Sequence, residues 1–174
     1  MSSHSPARLR SFPPVAEADA RLLILGSMPG AESLRRQQYY AHPHNAFWFI
    51  MGELFGAAPG LAYPLRLQKL VESGVALWDV LKYCQRRGSL DSNIKDAVAN
   101  DFDGFFSAHR EIERICFNGQ KAFQLFRTRV LKNSQQLRER FDETVLIVLP
   151  STSPAMASLD RQQKALLWRE KITG

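Results

Sequence analysis

The sequence predicts an α/β fold, a parallel sheet with helices on both of its faces. Three observations carry this. Four apolar runs of strand length recur along the 174 residues, at 22–25, 75–78, 112–117 and 145–149. Helical patterns separate them, so strand and helix alternate four times, as in βαβ units. The runs are nearly continuous rather than alternating, which suits strands buried on both faces.

The elements follow in order. Residues 1–20 read as a loosely ordered lead-in, and 21–174 as a single domain. The first run, Leu22-Leu23-Ile24-Leu25, stops at Gly26, and a long loop rich in Gly, Pro, Gln, Tyr and His fills 26–44. Residues 46–55 (AFWFIMGELF) predict an apolar helix, with Asn45 where an N-cap stands. Residues 64–72 have helical spacing with Pro at the start. Gly74 stops that helix, and the second strand ends at Asp79. A polar loop through Gly88 and Asn93 leads to a short helix at 101–108 and the third strand, which Asn118-Gly119 breaks. Residues 120–130 look helical, and 131–140 continue the helix or loop out. Pro150 ends the fourth strand, a Ser/Pro turn follows, and a last helix spans about 161–171.

Hydrophobic residues make up 45% of the chain, enough for a core without disulfide or metal staples. The start carries no apolar run of signal-peptide length, and no run is long enough to span a bilayer, so the expected location is the cytoplasm. Cys84 and Cys116 form no CxxC pair and are expected to be reduced and buried. A net charge of +6 suits a polyanionic partner. It is spread over Arg35 and Arg36, then Lys82, Arg86 and Arg87, then Arg127, Arg129, Lys132, Arg138 and Arg140.

In such sheets the working site lies beyond the carboxyl ends of the strands. Those ends are Gly26 onward, Asp79, Asn118 and Ser151 onward. GSMPG at 26–30 is neither a dinucleotide fingerprint nor a Walker loop; it lets backbone approach a ligand, or simply turns the chain. Asn45 stands at a loop–helix junction just before Phe47 and Trp48. Its carboxamide could hold and polarise a water beside a flat aromatic surface; equally, Asn45 could cap the helix and both rings could be core. Pro150 to Ala155 (PSTSPA) make a stiff turn with donors suited to phosphate oxygens, or a capping turn. His42 and His44 lack a third ligand, so no metal or other cofactor is expected.

Taken together, GSMPG, YYAHPHNAFW, GVALWDVL and STSPA, in this order, resemble the uracil-DNA glycosylase superfamily, nearest its hypoxanthine-DNA (deoxyinosine) glycosylase branch. AHPHNAFW also resembles the mismatch-specific uracil glycosylases. The resemblance runs from about residue 21 to the last helix. It implies a three-layer α/β/α sandwich around a four-stranded parallel sheet. It also implies flipping of the target nucleotide and hydrolysis of its glycosidic bond through an oxocarbenium-like sugar. The implied partner is double-stranded DNA containing deaminated bases, met by a monomer.

Carried over by residue, Phe47 matches the aromatic that stacks on the flipped base, and Asp79 falls where other members keep a base-reading Asn. Gly26, Ser27, Met28 and Tyr40 complete the base pocket. Pro29, Gly30, Ser151, Thr152, Ser153 and Pro154 match segments that hold the DNA backbone. The chain departs from the superfamily at Met28, where most members have Asp or Asn to activate water, and at Ser151, which replaces a His or Asn. In the nearest branch the catalytic amide is the Asn of the HPxN segment, here Asn45. No lysine stands where a Schiff-base step would need one. Ala155, Met156, Leu159 and Arg161 occupy the region where the family inserts a wedge into DNA. The resulting expectation is a monofunctional glycosylase for hypoxanthine. The alternatives are a mismatch-specific uracil glycosylase and, in another class, a non-catalytic nucleic-acid or nucleotide binder.

Overall fold

The computed structural model describes residues 7–174. Its strands are β1 (Arg8–Arg10), β2 (Leu22–Gly26), β3 (Val75–Asp79), β4 (Leu81–Gln85), β5 (Lys95–Ala99), β6 (Arg114–Asn118) and β7 (Leu146–Leu149). Its α-helices are α1 (Ala31–Arg36), α2 (Phe47–Phe55), α3 (Tyr63–Glu72), α4 (Phe102–Ala108), α5 (Gln120–Leu125), α6 (Gln135–Arg140) and α7 (Arg161–Thr173). The main sheet has the order β3-β2-β6-β7, and all its strands are parallel.

Side chains leave a strand on alternate faces, and here both faces are buried. Leu23, Leu25, Ala76, Trp78, Ile115 and Phe117 pack with Phe102, Phe105, Phe106 and Leu125 of α4 and α5. Leu22, Ile24, Val75, Leu77 and Cys116 pack on the other side with Phe47, Ile50, Leu70 and Trp168 of α2, α3 and α7. The expected α/β/α sandwich with a four-stranded parallel sheet is thus present, and Cys84 and Cys116 are free and buried. An Asp160–Gln163 capping box starts α7, fixing the helix that supports the last loop.

The lead-in expected over 1–20 is more integrated than its composition suggests. Residues 1–6 lie outside the described residues, but β1 pairs with β4 and Val15 bridges Leu77 on the outer edge of β3. Phe12 is buried, its carbonyl accepts from Trp78 Nε1 at 3.0 Å, and Pro13 O accepts from Tyr39 Oη at 2.9 Å. The physical reason is the open edge of β3, whose backbone groups the incoming chain covers.

The stretch after Asp79 also differs from a polar loop. β4 and β5 form an antiparallel pair that joins β1 in a three-stranded sheet. Leu81 and Cys84 point into the core while Lys82 faces solvent, so the apolar signal is one-sided and short. Within the long loop of 26–44 sits α1, whose Glu32 pairs with Arg35 and Arg36, each at 2.6 Å. The third strand ends one residue later than expected, at Asn118. The fourth starts at Leu146, after a 3-10 turn over Glu143–Val145. Helix α5 runs on through a π turn at Phe126–Val130. No helix among the described residues is long and apolar enough to cross a membrane.

Three of the cations have structural work of their own. Arg86 is buried, and Arg138 and Arg140 spend their guanidinium groups on main-chain carbonyls of 131–132 and 106–112. Phe12→Ala tests the docking of the N-terminal segment. It is expected to cost about 3 kcal/mol in a denaturant titration, as for a buried Phe, whereas a loose lead-in would cost well under 1 kcal/mol.

Candidate active site

The four parallel strands deliver their carboxyl ends to one side of the sheet, and a cavity of about 600 Å³ opens there. That volume falls in the range of sites that enclose a small ligand. Gly26 and Asp79 are register partners at the ends of β2 and β3, and Asn118 closes β6. The cavity is lined by residues 26–30, Tyr40, Asn45, Asp79 and residues 151–154, which gathers every residue that the resemblance assigned to catalysis, base or backbone except Phe47.

Phe47 is fully buried and does not line the cavity. The first turn of α2 aims its ring into the core against Trp48 and Trp168. Tyr40 lies on it, ring centroids 4.0 Å apart and nearly parallel, and Tyr40, together with Tyr39, lines the cavity. Tyr40 has φ of 53°, a left-handed conformation that costs a non-glycine residue energy. Its neighbour holds it there. Tyr39 N–H donates to Tyr63 Oη at 3.0 Å, and Tyr39 O accepts from Trp48 Nε1 at 2.9 Å.

Asp79 and Tyr40 converge over Gly26. A Cβ on Gly26 would lie 2.6 Å from Asp79 Oδ1 and 2.7 Å from Tyr40 Oη, so any side chain there would displace one or both groups. Asp79 Oδ2 and Tyr40 Oη are both buried without a hydrogen-bond partner, which is costly unless a ligand supplies one. Burial, reinforced by Asp91 and opposed by Arg86, pushes the Asp79 carboxyl from its ordinary 3.8 up to about 7. Burial, then the Asp79 charge, raises the Tyr40 phenol above its ordinary range.

Asn45 does two things at once. The N-cap of α2 is Ala46, not Asn45 as the sequence pattern suggests; Asn45 Oδ1 accepts from Phe47 N–H at 2.9 Å one residue ahead of that cap, while the residue also lines the cavity. With the oxygen committed, the amide NH₂ is the part left for a ligand. The last loop is tied down from several sides. Asn118 Nδ2 donates to Thr152 Oγ1, and Thr152 N–H donates to Asn118 Oδ1, each at 2.9 Å. Ala46 N–H donates to Thr152 O at 3.0 Å, and the buried Lys164 donates to Ser153 O at 3.1 Å.

Met28 packs into the α4–α5 core while touching the cavity, and its thioether has no proton to move. Of the wedge region, Ala155 and Met156 line this cavity. Arg161 instead lines a second hollow of about 350 Å³ beyond the 40–46 wall, with Arg36 and Arg66.

Sequence reasoning left out Asn118 as a site residue, although it is a strand end, and it left out the hairpin residues Ser89, Leu90 and Asp91. The hairpin reaches the first loop from far along the chain. Ser27 Oγ donates to Asp91 Oδ1 at 2.7 Å, Ala31 N–H donates to Ser89 Oγ at 2.8 Å, and Arg86 donates to Pro29 O. Among the described residues no group of three His, Cys, Asp or Glu is placed to hold a metal ion.

An α/β/α sandwich with a cavity at the carboxyl ends of its strands, apolar over most of its lining with a few polar groups converging in it, defines a class of ligand-binding and catalytic domains. Within that class the assignment is specific. The model of the Uracil DNA glycosylase superfamily matches residues 13–172, and the chain belongs to that family. A Hypoxanthine DNA glycosylase of Methanosarcina acetivorans is 39% identical over 143 residues, 77% of this chain and 90% of its own. One from Methanosarcina barkeri is 39% identical over 114 residues, 65% of this chain and 72% of its own. The solution NMR structure of a Methanosarcina acetivorans protein superposes with a TM-score of 0.74 at 35% identity, covering 95% of this chain and 99% of that one.

The raised Asp79 carboxyl has a consequence for stability. The folded state holds the proton to about pH 7, the unfolded chain only to 3.8. This stabilising contribution is therefore complete below pH 4 and lost as pH rises through 7. Asp79→Asn is expected to leave thermal stability unchanged near pH 4 and to raise it at pH 8, by up to ~4 kcal/mol, as read by melting curves across pH.

Proposed function

We propose that this chain is a DNA glycosylase that flips a deaminated base, hypoxanthine above all, into the strand-end cavity and hydrolyses its bond to deoxyribose. One observation carries the reading: an acceptor and a donor, Asp79 and Tyr40, each hold a buried polar atom without a partner, Oδ2 and Oη, and the carboxyl and the phenol come together above Gly26 in that cavity. Hypoxanthine presents an N1–H donor beside an O6 acceptor. Ionised Asp79 accepts from N1–H, and Tyr40 Oη donates to O6. Adenine presents the reverse pattern and leaves both groups unsatisfied. The relatives named Hypoxanthine DNA glycosylase support the same choice.

The remaining residues take their roles from position. Tyr40 is the aromatic wall beside the base, and Phe47 backs it from the core. Asn45 donates through its NH₂ to a water, holding it for attack on C1′. The glycosidic bond breaks with its electron pair passing to the base. Water then supplies hydroxyl to C1′ and a proton to the departing base. Little base strength is needed, because the sugar develops positive charge before attack; positioning is what the enzyme contributes. Met28 fits this, since the first motif no longer handles water. Gly26 and Ser27 floor the pocket. Pro29, Gly30 and residues 151–154 grip the strand through backbone and hydroxyl donors. We place the work in the cytoplasm, on duplex DNA, by a monomer.

Uracil presents the same N3–H and O4 pair, so a uracil glycosylase is the second reading. Purified protein is expected to generate alkali-labile sites in duplexes with deoxyinosine, and more slowly in those with deoxyuridine. Release of neither base would overturn the proposal, and a faster uracil reaction would favour the second reading. Asn45→Ala is expected to lower single-turnover rate about 10²–10³-fold. Asn45→Ser, which keeps an oxygen for Phe47 N–H, should melt like the parent yet be as impaired; full activity in it would reduce Asn45 to a support of the helix start. For the parent protein, kcat/KM on deoxyinosine should rise as pH passes about 7 and Asp79 ionises. Asp79→Asn should flatten that limb.

A further inference from the structure

Among the described residues four large apolar side chains stand out in solvent: Leu65, Leu90, Val98 and Leu166. Leu90 alone of these lines the strand-end cavity. Scattered exposed leucines are ordinary on protein surfaces, but this one is 53% exposed on the lip of the pocket. It is also held firmly. The chain on either side is clipped to the first loop by the Ser89–Ala31 and Asp91–Ser27 hydrogen bonds, and Leu90 O accepts from Asn93 N–H at 3.0 Å. Gly88, with φ of 69°, turns the hairpin just before it. Arg87 nearby is exposed, and among the described residues no carboxylate lies within ion-pair distance of it.

A base that enters this cavity from a duplex must pass the lip, so the lip meets the helix at the vacated position. We propose that Leu90 is an apolar wedge of this protein, inserted into the base stack from the β4–β5 hairpin while Arg87 meets the adjacent phosphate. The inference rests on the function proposed above and adds a DNA-distorting element outside the last loop. The opposite lip is less suited to that task, since Ala155 is small and Met156 is half-buried. Apolar side chains used in this way unstack a base step and hold the gap open. A leucine gives the bulk, and the hydrogen-bonded turn removes the freedom that would blunt it.

The role is specific to duplex DNA, because a single strand has no partner stack to open. Leu90→Ala is tested beside the parent on deoxyinosine in duplex and in single-stranded oligonucleotides, with melting curves to verify the fold. The expected result is a loss of at least 10-fold on the duplex, less than 2-fold on the single strand, and an unchanged melting temperature. A duplex carrying a pyrene nucleotide opposite the lesion, which pushes the base out by bulk, should restore most of the loss. Equal losses on both substrates, or no loss on either, would overturn the wedge while leaving the glycosylase reading intact. A parent protein that cleaves neither substrate overturns that reading and the wedge with it.

Discussion

Burial of the parallel sheet on both faces is the constraint from which the rest follows. Strands with apolar side chains on each side can carry polar groups only where they end. The order β3-β2-β6-β7 makes β2 the point from which the chain turns first to one side and later to the other. Loops leaving such a switch point diverge and open a crevice. Gly26 sits at its centre, with Asp79 on one neighbouring strand and Asn118 on the other. The packing that makes the core also decides which few positions are available for chemistry.

Keeping those positions useful requires rigid support. Asp79 is buried away from water, and Tyr40 is held in a backbone conformation it would not adopt alone. Both are unfavourable by themselves and persist because surrounding contacts over-determine them. Phe47 backs the Tyr40 ring, Tyr63 and Trp48 fasten the residue before it, and the Asn118–Thr152 pair joins β6 to the last loop. Lys164 and Trp168 fix that loop from α7 through Ser153 O and Pro150 O. Each support limits the play of a group that lines the cavity.

The pattern of strand ends was readable in the chain because apolar runs that stop at Gly26, Asp79, Asn118 and Pro150 leave little choice of topology. The order of the motifs identified the fold and brought nearly all the chosen residues to one cavity. Phe47 escaped because its direction depends on how α2 packs against α7, which spacing from Asn45 does not encode. Its neighbour in space, Tyr40, carries the aromatic surface instead. The hairpin escaped for another reason. Its residues alternate on a short, partly exposed sheet, and the Ser27–Asp91 contact joins positions 64 apart. Nor does composition show that an apparently loose N-terminal segment covers the edge of β3, because that depends on an unpaired strand being there.

Burial also decides how selective such a pocket can be. Hydrolytic deamination turns the exocyclic amine of adenine or cytosine into a carbonyl and puts a proton on the adjacent ring nitrogen. Donor and acceptor thereby exchange places. On the proposed reading, Asp79 and Tyr40 match the deaminated edge and face the parent edge wrongly. Each unsatisfied buried group costs about 1–3 kcal/mol, and enclosure prevents water from repairing it. Two mismatches together disfavour the parent base by roughly 30-fold to 10⁴-fold. The same edge occurs on hypoxanthine and uracil, and on guanine and thymine, so it cannot separate them. That distinction falls to shape: a pyrimidine fills less of a cavity of about 600 Å³ and forfeits contacts, an effect of the modest size expected of apolar fit. On that reading the pocket rejects adenine and cytosine strongly and reads ring size weakly.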